Sequence, residues 1–108
     1  YWVSYPQITR FCNGVPVFIK TDNSLKVNPL QLKNAITKRT KAFILNTPNN
    51  PSGMVYTKKE LENMAEILKD YNVYVISDEI YEKIIYDIDF FSISQVSDMR
   101  GKTFVVSG

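Results

Sequence analysis

The sequence predicts an α/β fold, with a mostly parallel sheet between helices in a three-layer arrangement that this chain holds only in part. Strand-like apolar runs alternate with helix-like segments along the whole chain. Several of the helical segments open with capping signals, which fix where each helix begins. The apolar runs are nearly continuous, as is typical of strands that are covered on both faces of a parallel sheet.

Three segments carry helix signals. Ser4 precedes a proline and a glutamine, which predicts a helix with a serine cap and a stop at Gly14. Asn28 followed by proline predicts a second start. Thr57 opens a capping box, and we expect that helix to run to about Tyr71. Its apolar residues keep the i, i+3, i+4, i+7 spacing of one buried face: Leu61, Met64, Ala65 and Leu68.

Four β-rich runs are predicted as strands: residues 15–21, 41–46, 73–77 and 103–107. Strands that alternate with capped helices indicate βαβ units, in which ligands bind beyond the carboxyl ends of the strands. Polar clusters follow three of these runs, at Asn46–Gly53, at Asp78-Glu79 with Tyr81, and at Ser107-Gly108. We therefore expect the three clusters to lie along one edge of the sheet.

Composition limits the classes of function. The chain has 108 residues, so we expect one domain or a piece of a larger one, and its net charge of +2 does not indicate a nucleic-acid or membrane partner. A single cysteine, Cys12, allows no internal disulfide. The absence of histidine excludes a Ser-His-Asp triad and a His-ligated metal within the chain. No apolar run approaches the ~20 residues that span a bilayer.

Each candidate residue also has a plainer interpretation. Asp78 alone fits a helix cap, Tyr81 fits core packing, and the neighbouring Asn49 and Asn50 fit turn chemistry. An apolar strand that ends in Asp-Glu also fits a nucleotide-bound Mg²⁺ site, but that interpretation needs a phosphate loop. Gly101-Lys102-Thr103 is the only fragment of such a loop, and it precedes a strand instead of a helix.

Two motifs together point to a family. N-x-P-x-N-P-x-G covers residues 46–53 and S-D-E-I-Y covers residues 77–81. This pair resembles the pyridoxal-phosphate-dependent aminotransferases of fold type I, class I/II, and most of all their bacterial aspartate-preferring members. The opening Y-W-V-S-Y-P, residues 1–6, is similar to the family segment that carries an aromatic residue over the cofactor. The resemblance runs from Tyr1 to Gly108.

The resemblance implies a role for four residues. Asp78 matches the carboxylate that keeps the cofactor's pyridine nitrogen protonated, which makes the ring an electron sink. Asn50 and Tyr81 match the two donors to the ring's 3-hydroxyl oxygen. Trp2 matches the residue that stacks on the ring. This Asn–Pro peptide is often cis in the family, so the resemblance also implies a cis bond between Asn50 and Pro51.

The resemblance further implies what the whole protein does and what these residues lack. The expected reaction moves an amino group between an amino acid, aspartate by preference, and a 2-oxo acid, in a cytoplasmic homodimer. Residues 1–108 match the central segment of the large, cofactor-binding domain, without the small domain. No lysine here matches the family's Schiff-base lysine, so we expect a segment of a longer polypeptide that is inactive alone. An aminotransferase of other specificity, a lyase of the same fold, and a non-catalytic α/β module stay open.

In the family's sheet, the strand before Tyr1 lies between the strand at 15–21 and the strand at 41–46. Residues 1–108 alone are therefore expected to expose unpaired strand edges and apolar faces, and to be marginally stable.

Overall fold

The computed structural model describes all residues from Tyr1 to Gly108, and it has the predicted α/β architecture with a parallel sheet. The helices and strands are α1 (Ser4–Phe11), α2 (Pro29–Ala35), β1 (Ala42–Asn46), α3 (Lys58–Leu68), β2 (Tyr74–Asp78) and β3 (Thr103–Val106). Two short 3₁₀ turns, Ile93–Gln95 and Ser97–Met99, lie between β2 and β3. None of the helices is both long and apolar enough to cross a membrane.

The three strands are parallel and stand in the order β1-β2-β3, so β2 is central. Asn46 at the end of β1 pairs with Asp78 at the end of β2, which in turn pairs with Val106 near the end of β3. Because the carboxyl ends stand in register, the loops that follow β1 and β2 leave the sheet side by side. The topology therefore places their polar clusters at one edge, as the sequence predicts.

The caps of α2 and α3 form as predicted. The side chain of Asn28 accepts from the backbone N–H of Gln31, and the Gln31 side chain accepts from the N–H of Asn28, both over 2.9 Å. Thr57 and Glu60 make the same reciprocal pair at the start of α3. Each capping box satisfies two backbone donors that have no partner inside the helix.

Helix α3 ends at Leu68, three residues before the predicted end at Tyr71. The ammonium of Lys102 donates to the carbonyl oxygens of Lys69 and Tyr71, over 3.0 Å each, where the chain leaves the helix. Such a cation satisfies terminal carbonyls and opposes the negative end of the helix dipole. Since Lys102 precedes β3, it also lies at the amino edge of the sheet, away from Asp78, and not in a phosphate loop.

Both predicted boundaries of α1 are wrong by a residue or more. Val3 already has helical dihedral angles, so Ser4 is the first residue inside the helix and makes no side-chain cap. The helix stops at Phe11, and the left-handed residue after it is Asn13, with φ of 58°, instead of Gly14. Gly14 donates its N–H to the carbonyl of Thr9 over 2.8 Å, and a Cβ there would lie 2.9 Å from the Thr9 methyl. Glycine is thus required for close approach.

The predicted strand at residues 15–21 is wrong for this chain. The segment contains no strand, and Val15 is 86% exposed. A β-rich sequence becomes a strand only when a neighbour supplies ladder hydrogen bonds, because β propensity mainly reflects cross-strand packing. No segment of residues 1–108 pairs with it.

The core lies on one face of the sheet. Leu45 and Val75 point to this face, where they meet α2 and α3. The four residues predicted as the buried stripe of α3, Leu61, Met64, Ala65 and Leu68, are all buried. The opposite face is largely open, with Tyr74 49% and Phe104 61% exposed. The sequence predicted that residues 41–46 are covered on both faces. That prediction is wrong for this chain, since only Leu45 of β1 is buried.

Candidate active site

The loop after β1 and the loop after β2 meet through one side-chain pair. The amide nitrogen of Asn50 donates to the hydroxyl oxygen of Tyr81 over 3.1 Å. Asn50 is exposed and Tyr81 is half-buried, so both polar groups remain accessible at the sheet edge. Two of the predicted site residues are therefore neighbours, and both carry N–H or O–H donors.

Asn49 has a different role from Asn50. Its amide nitrogen donates to the side-chain oxygen of Asn46 over 2.8 Å, and its own side-chain oxygen accepts from the Ser52 hydroxyl over 2.8 Å. Asn46 in turn donates to the backbone carbonyl of Asp78 over 3.2 Å. The turn interpretation is thus right for Asn49, which holds the loop in shape, while Asn50 takes no part in these bonds and stays exposed beside Tyr81.

The backbone of this loop is tightly specified. Gly53 has φ of +67°, a conformation that L side chains rarely adopt, and its N–H donates to the carbonyl of Asn49 over 2.8 Å. The Asn50–Pro51 peptide is cis, as the resemblance implies. The Thr47–Pro48 peptide is also cis, which the sequence did not predict. Proline and glycine therefore set the path of the chain on both sides of Asn50.

Asp78 is the last residue of β2, and both oxygens of its carboxylate accept hydrogen bonds. Oδ1 accepts from the backbone N–H of Ile80 over 3.2 Å. Oδ2 accepts from the hydroxyl of Tyr5. The carboxylate is half-buried on the open face of the sheet, on the same side as Tyr74 and opposite to the core. It is therefore a fixed negative charge at the carboxyl edge.

Tyr5 was not predicted as a site residue, and the structure adds it. Burial, the hydrogen bond to Asp78 and the negative charge of Asp78 together raise the pKa of the Tyr5 hydroxyl well above its ordinary value of 10.0. The phenol therefore keeps its proton and remains a donor. The sequence held one signal for it: Tyr5 follows Trp2 by only three residues. The turn that leads into α1 keeps the two close, with the Tyr5 N–H donating to the carbonyl of Trp2 over 3.1 Å.

Trp2 lies beside Tyr5, with ring centroids 5.7 Å apart and an interplanar angle of 83°. This edge-to-face geometry is one that aromatic pairs prefer. The indole is 56% exposed, so most of its surface remains available for contact. The structure thus connects Trp2 to Asp78 through a single residue, Tyr5.

Glu79 follows Asp78 but faces the opposite way. It is buried, and its Oε1 accepts from the hydroxyls of Ser77 and Ser92 over 2.7 and 2.6 Å. The two carboxylates of the Asp-Glu pair point to opposite faces of the sheet, as alternation along a strand requires. They therefore do not converge on one metal ion, which removes the main support for the Mg²⁺ interpretation.

The third predicted cluster also reaches this edge. The N–H of Glu79 donates to the carbonyl of Val106 over 2.8 Å, which aligns the end of β3 with the end of β2. Gly108 lies so close to Ile80 that a Cβ on it would be 2.8 Å from the Ile80 Cδ1. The predicted convergence of the three polar clusters is confirmed as geometry.

Comparison with known proteins agrees with this arrangement. The family model described as "Aminotransferase class I and II" matches residues 1–108, the whole chain. The chain belongs to the class I and II aminotransferases. An aspartate aminotransferase of Bacillus sp. (strain YM-2) is 48% identical over the full chain, and an aspartate/prephenate aminotransferase of Thermus thermophilus is 43% identical.

A solved aspartate aminotransferase from Thermus thermophilus, determined with maleate, superposes with a TM-score of 0.93 at 42% identity and covers 100% of this chain. The chain spans only about 28% of that structure, and 28–29% of the two relatives. The fold class, the parallel sheet and the family are thus shown.

Aminotransferases of this family use pyridoxal phosphate, and the donor set here fits that group. The cofactor has a ring nitrogen that binds a proton and, two ring positions away, a hydroxyl in the same plane. Asp78 offers a carboxylate for the first, and Asn50 with Tyr81 offers two neighbouring donors for the second. Trp2 offers an exposed aromatic surface. Charge and hydrogen-bonding capacity therefore match the ring nitrogen, the ring hydroxyl and the ring face, while no lysine among residues 1–108 matches the family's Schiff-base position.

Proposed function

We propose that residues 1–108 are the central segment of the cofactor-binding large domain of a pyridoxal-phosphate-dependent aminotransferase. The whole protein moves an amino group between an amino acid and a 2-oxo acid, with aspartate as the preferred amino acid. The small domain is not part of this segment. The family match over the whole chain supports the reaction class.

One observation carries the proposal. The Asn50 amide and the Tyr81 hydroxyl meet over 3.1 Å at the same sheet edge as the Asp78 carboxylate, although they follow different strands. Turn chemistry explains an asparagine in this loop but not its contact with a tyrosine beyond the next strand. A site for a ring that carries both a basic nitrogen and an acidic hydroxyl explains all three groups together.

In this proposal, each side chain acts on the bound ring through charge, hydrogen bonding or contact. Asp78 holds a proton on the ring nitrogen by stabilising the charged form. Asn50 and Tyr81 donate to the ring oxygen and stabilise its negative charge. Trp2 orients the ring by face contact. When bound, the cofactor supplies the electron sink that makes breaking the substrate's Cα–H bond feasible.

Aspartate specificity is proposed from the relatives, since the named matches are aspartate or aspartate/prephenate aminotransferases. The name of the Thermus thermophilus relative adds prephenate as a second candidate substrate. Aminotransferases of other specificity, or a lyase of the same fold, remain the alternatives. The family resemblance assigns no residue of 1–108 to the recognition of a substrate side chain. Specificity is therefore decided by assay.

The test uses the full-length protein that contains these residues. It is purified with pyridoxal phosphate and assayed with aspartate, a neutral aromatic amino acid and alanine, each against 2-oxoglutarate. Aspartate should give the highest kcat/KM and a stoichiometric 2-oxo acid product. A protein that retains no pyridoxal phosphate after gel filtration, together with no amino transfer from any donor, would reject the proposal and favour a non-catalytic module.

Three further expectations belong to the same proposal. The full-length protein is a homodimer, checked by light scattering. It is located in the cytoplasm, an expectation that follows from the family resemblance and is checked by cell fractionation. Residues 1–108 alone do not transaminate, because no lysine among them matches the family's Schiff-base position. Amino transfer by the isolated segment would contradict this last expectation.

A further inference from the structure

Tyr5 makes two contacts with two different residues of the proposed site. Its hydroxyl donates to Oδ2 of Asp78, and its ring packs edge-to-face against Trp2 at 5.7 Å. Helix α1 and strand β2 are 73 residues apart at this contact. Tyr5 thus provides a direct side-chain hydrogen bond between helix α1, which begins two residues after Trp2, and strand β2, which ends at Asp78.

We propose that Tyr5 is a positioning residue that sets the orientation of the Asp78 carboxylate and the placement of the Trp2 indole. The inference rests on the proposed function, and it assigns a role to a residue outside the cofactor-binding set. Its two contacts separate cleanly, since the hydroxyl serves Asp78 and the ring serves Trp2.

The carboxylate needs this support because the backbone holds it from one side only. The Ile80 N–H fixes Oδ1 over 3.2 Å, which still allows the group to turn about that bond. A second donor on Oδ2 removes that freedom. Precise placement of a charged group matters because electrostatic stabilisation is strong only where the group is held before the reaction.

The Tyr5 hydroxyl also keeps its proton, and so remains a donor, when the pH changes around neutrality. The position is half-buried beside a negative charge, which keeps the phenol protonated. A phenolate there would place two negative charges in contact. Tyr5 therefore remains a donor to Asp78 through neutral pH, unlike a histidine, which titrates there.

The test compares Tyr5→Phe with Tyr86→Phe in the full-length holoenzyme. Tyr5→Phe removes the hydroxyl and keeps the ring beside Trp2. Tyr86 is 89% exposed, so its Phe variant controls for loss of a phenol alone. A lost hydrogen bond to a charged group predicts a fall in kcat of about 10-fold or more for Tyr5→Phe, with KM for aspartate changed far less. Tyr86→Phe should match the wild type.

A second readout does not depend on turnover. Titration of the apoprotein with pyridoxal phosphate should show cofactor affinity lowered several-fold for Tyr5→Phe, with the melting temperature of the apoprotein unchanged. In a double-mutant cycle with Asp78→Asn, the Tyr5→Phe change should have little further effect, because the hydroxyl acts through the Asp78 carboxylate.

The outcomes separate the two proposals. Wild-type turnover, cofactor affinity and spectrum in Tyr5→Phe would overturn the positioning role and leave the proposed function intact. Fully additive losses in the cycle would show that Tyr5 acts independently of Asp78. A Tyr5→Phe protein that no longer folds would assign the contact to folding. Either result would overturn the positioning role. A wild-type protein that neither binds pyridoxal phosphate nor transaminates would overturn both.

Discussion

The amide of Asn50 donates to the hydroxyl of Tyr81 over 3.1 Å, across 31 residues of sequence. The contact depends on register. Asn46 and Asp78 pair at the ends of adjacent parallel strands, so the loops that follow them begin level with each other. Asn49 and Ser52 then hold the first loop in a shape that points Asn50 toward Tyr81. A slip of one residue between the strands would break the pair.

Replacing Tyr81 by Phe, or Asn50 by Ala, in the full-length protein should raise the pH midpoint of the bound cofactor's visible absorption. Under the proposed function, each change removes a donor to the ring oxygen, so the negative charge on that oxygen becomes less stable. A hydrogen bond to a charged group is worth about 1.5–3 kcal/mol, which corresponds to about one to two pH units. A spectrophotometric pH titration measures the midpoint.

Ser52→Ala is the matched control for this titration. Ser52 donates to Asn49, not to the candidate cofactor residues, so its loss should loosen the loop and shift the midpoint much less. Midpoints for the Tyr81 and Asn50 variants that equal the wild-type value would separate both side chains from the ring oxygen.

Replacing Asp78 by Ala should lower turnover by roughly 10²–10⁴-fold while the cofactor still binds. In the proposed complex, Asp78 pairs with the charged ring nitrogen. Removing one partner of a charge pair that the bound ring shields from water costs about 3–5 kcal/mol, and about 1.4 kcal/mol is a factor of ten in rate. Asp78→Glu tests whether charge alone suffices, since it keeps the carboxylate and moves it off the Tyr5 and Ile80 donors. Turnover near the wild-type value in Asp78→Ala would remove Asp78 from its proposed role.

Local rules predicted the parts of the fold that depend on nearby residues. The Thr57–Glu60 capping box and the four-residue stripe of α3 need only contacts within one helix and one apolar face, so their spacing was sufficient. The position of Asp78 at the carboxyl end of a strand followed from the apolar run before it. The convergence of the polar clusters followed from parallel topology alone.

The errors arose where long-range partners decide the structure. Residues 15–21 have β-rich sequence, but a strand also needs a neighbour, and no segment of this chain pairs with them. Tyr5 contacts Asp78 across 73 residues, and no local pattern encodes a pair at that separation. Ser4 looked like a cap because the sequence does not show that Val3 is already helical.

Leu32→Ala should destabilise the full-length protein by about 2–5 kcal/mol, whereas Leu30→Ala should change stability by less than about 0.5 kcal/mol. Both residues lie in α2, but Leu32 is fully buried against the core and Leu30 is 67% exposed. Chemical denaturation of the two variants measures the difference. Equal losses would show that Leu30 is also buried in the full-length protein.

Glu60 should make stability depend on acid pH. Burial alone would raise the pKa of Glu60, but hydrogen bonds from Lys26 and Thr57 and the charge of Lys26 outweigh it and hold the pKa below its ordinary 4.5. Lys26 donates to both carboxylate oxygens, over 3.0 and 2.8 Å. Near pH 4 the unfolded state therefore binds more protons than the folded state. The contribution of Glu60 to the free energy of unfolding thus shrinks as the pH is lowered.

The measurement compares the free energy of unfolding of the wild type and Glu60→Gln from pH 7 to pH 3. The wild-type advantage should be constant above about pH 5 and shrink as the pH falls below 4.5 through the lowered pKa. Glu66→Gln is the control, because Glu66 lies in an exposed pair with Lys69. An advantage that grows on acidification would reverse the assigned sign.

Residues 1–108 expressed alone should associate instead of remaining a monomer. The open face of the sheet exposes Tyr74, Phe104 and Val106, and α1 exposes Ile8 and Phe11. Both outer strands, β1 and β3, also present an edge with unpaired backbone groups. Contiguous apolar surface and open strand edges favour intermolecular contact. Light scattering should show species larger than 12.5 kDa, and an apolar dye should bind strongly.

The control is the segment with Phe104→Lys and Phe11→Lys. Both signals should be smaller in this variant, because a charge on the open sheet face and on α1 opposes association. A monodisperse monomer that unfolds cooperatively and binds no dye would show that these surfaces are covered within the segment itself.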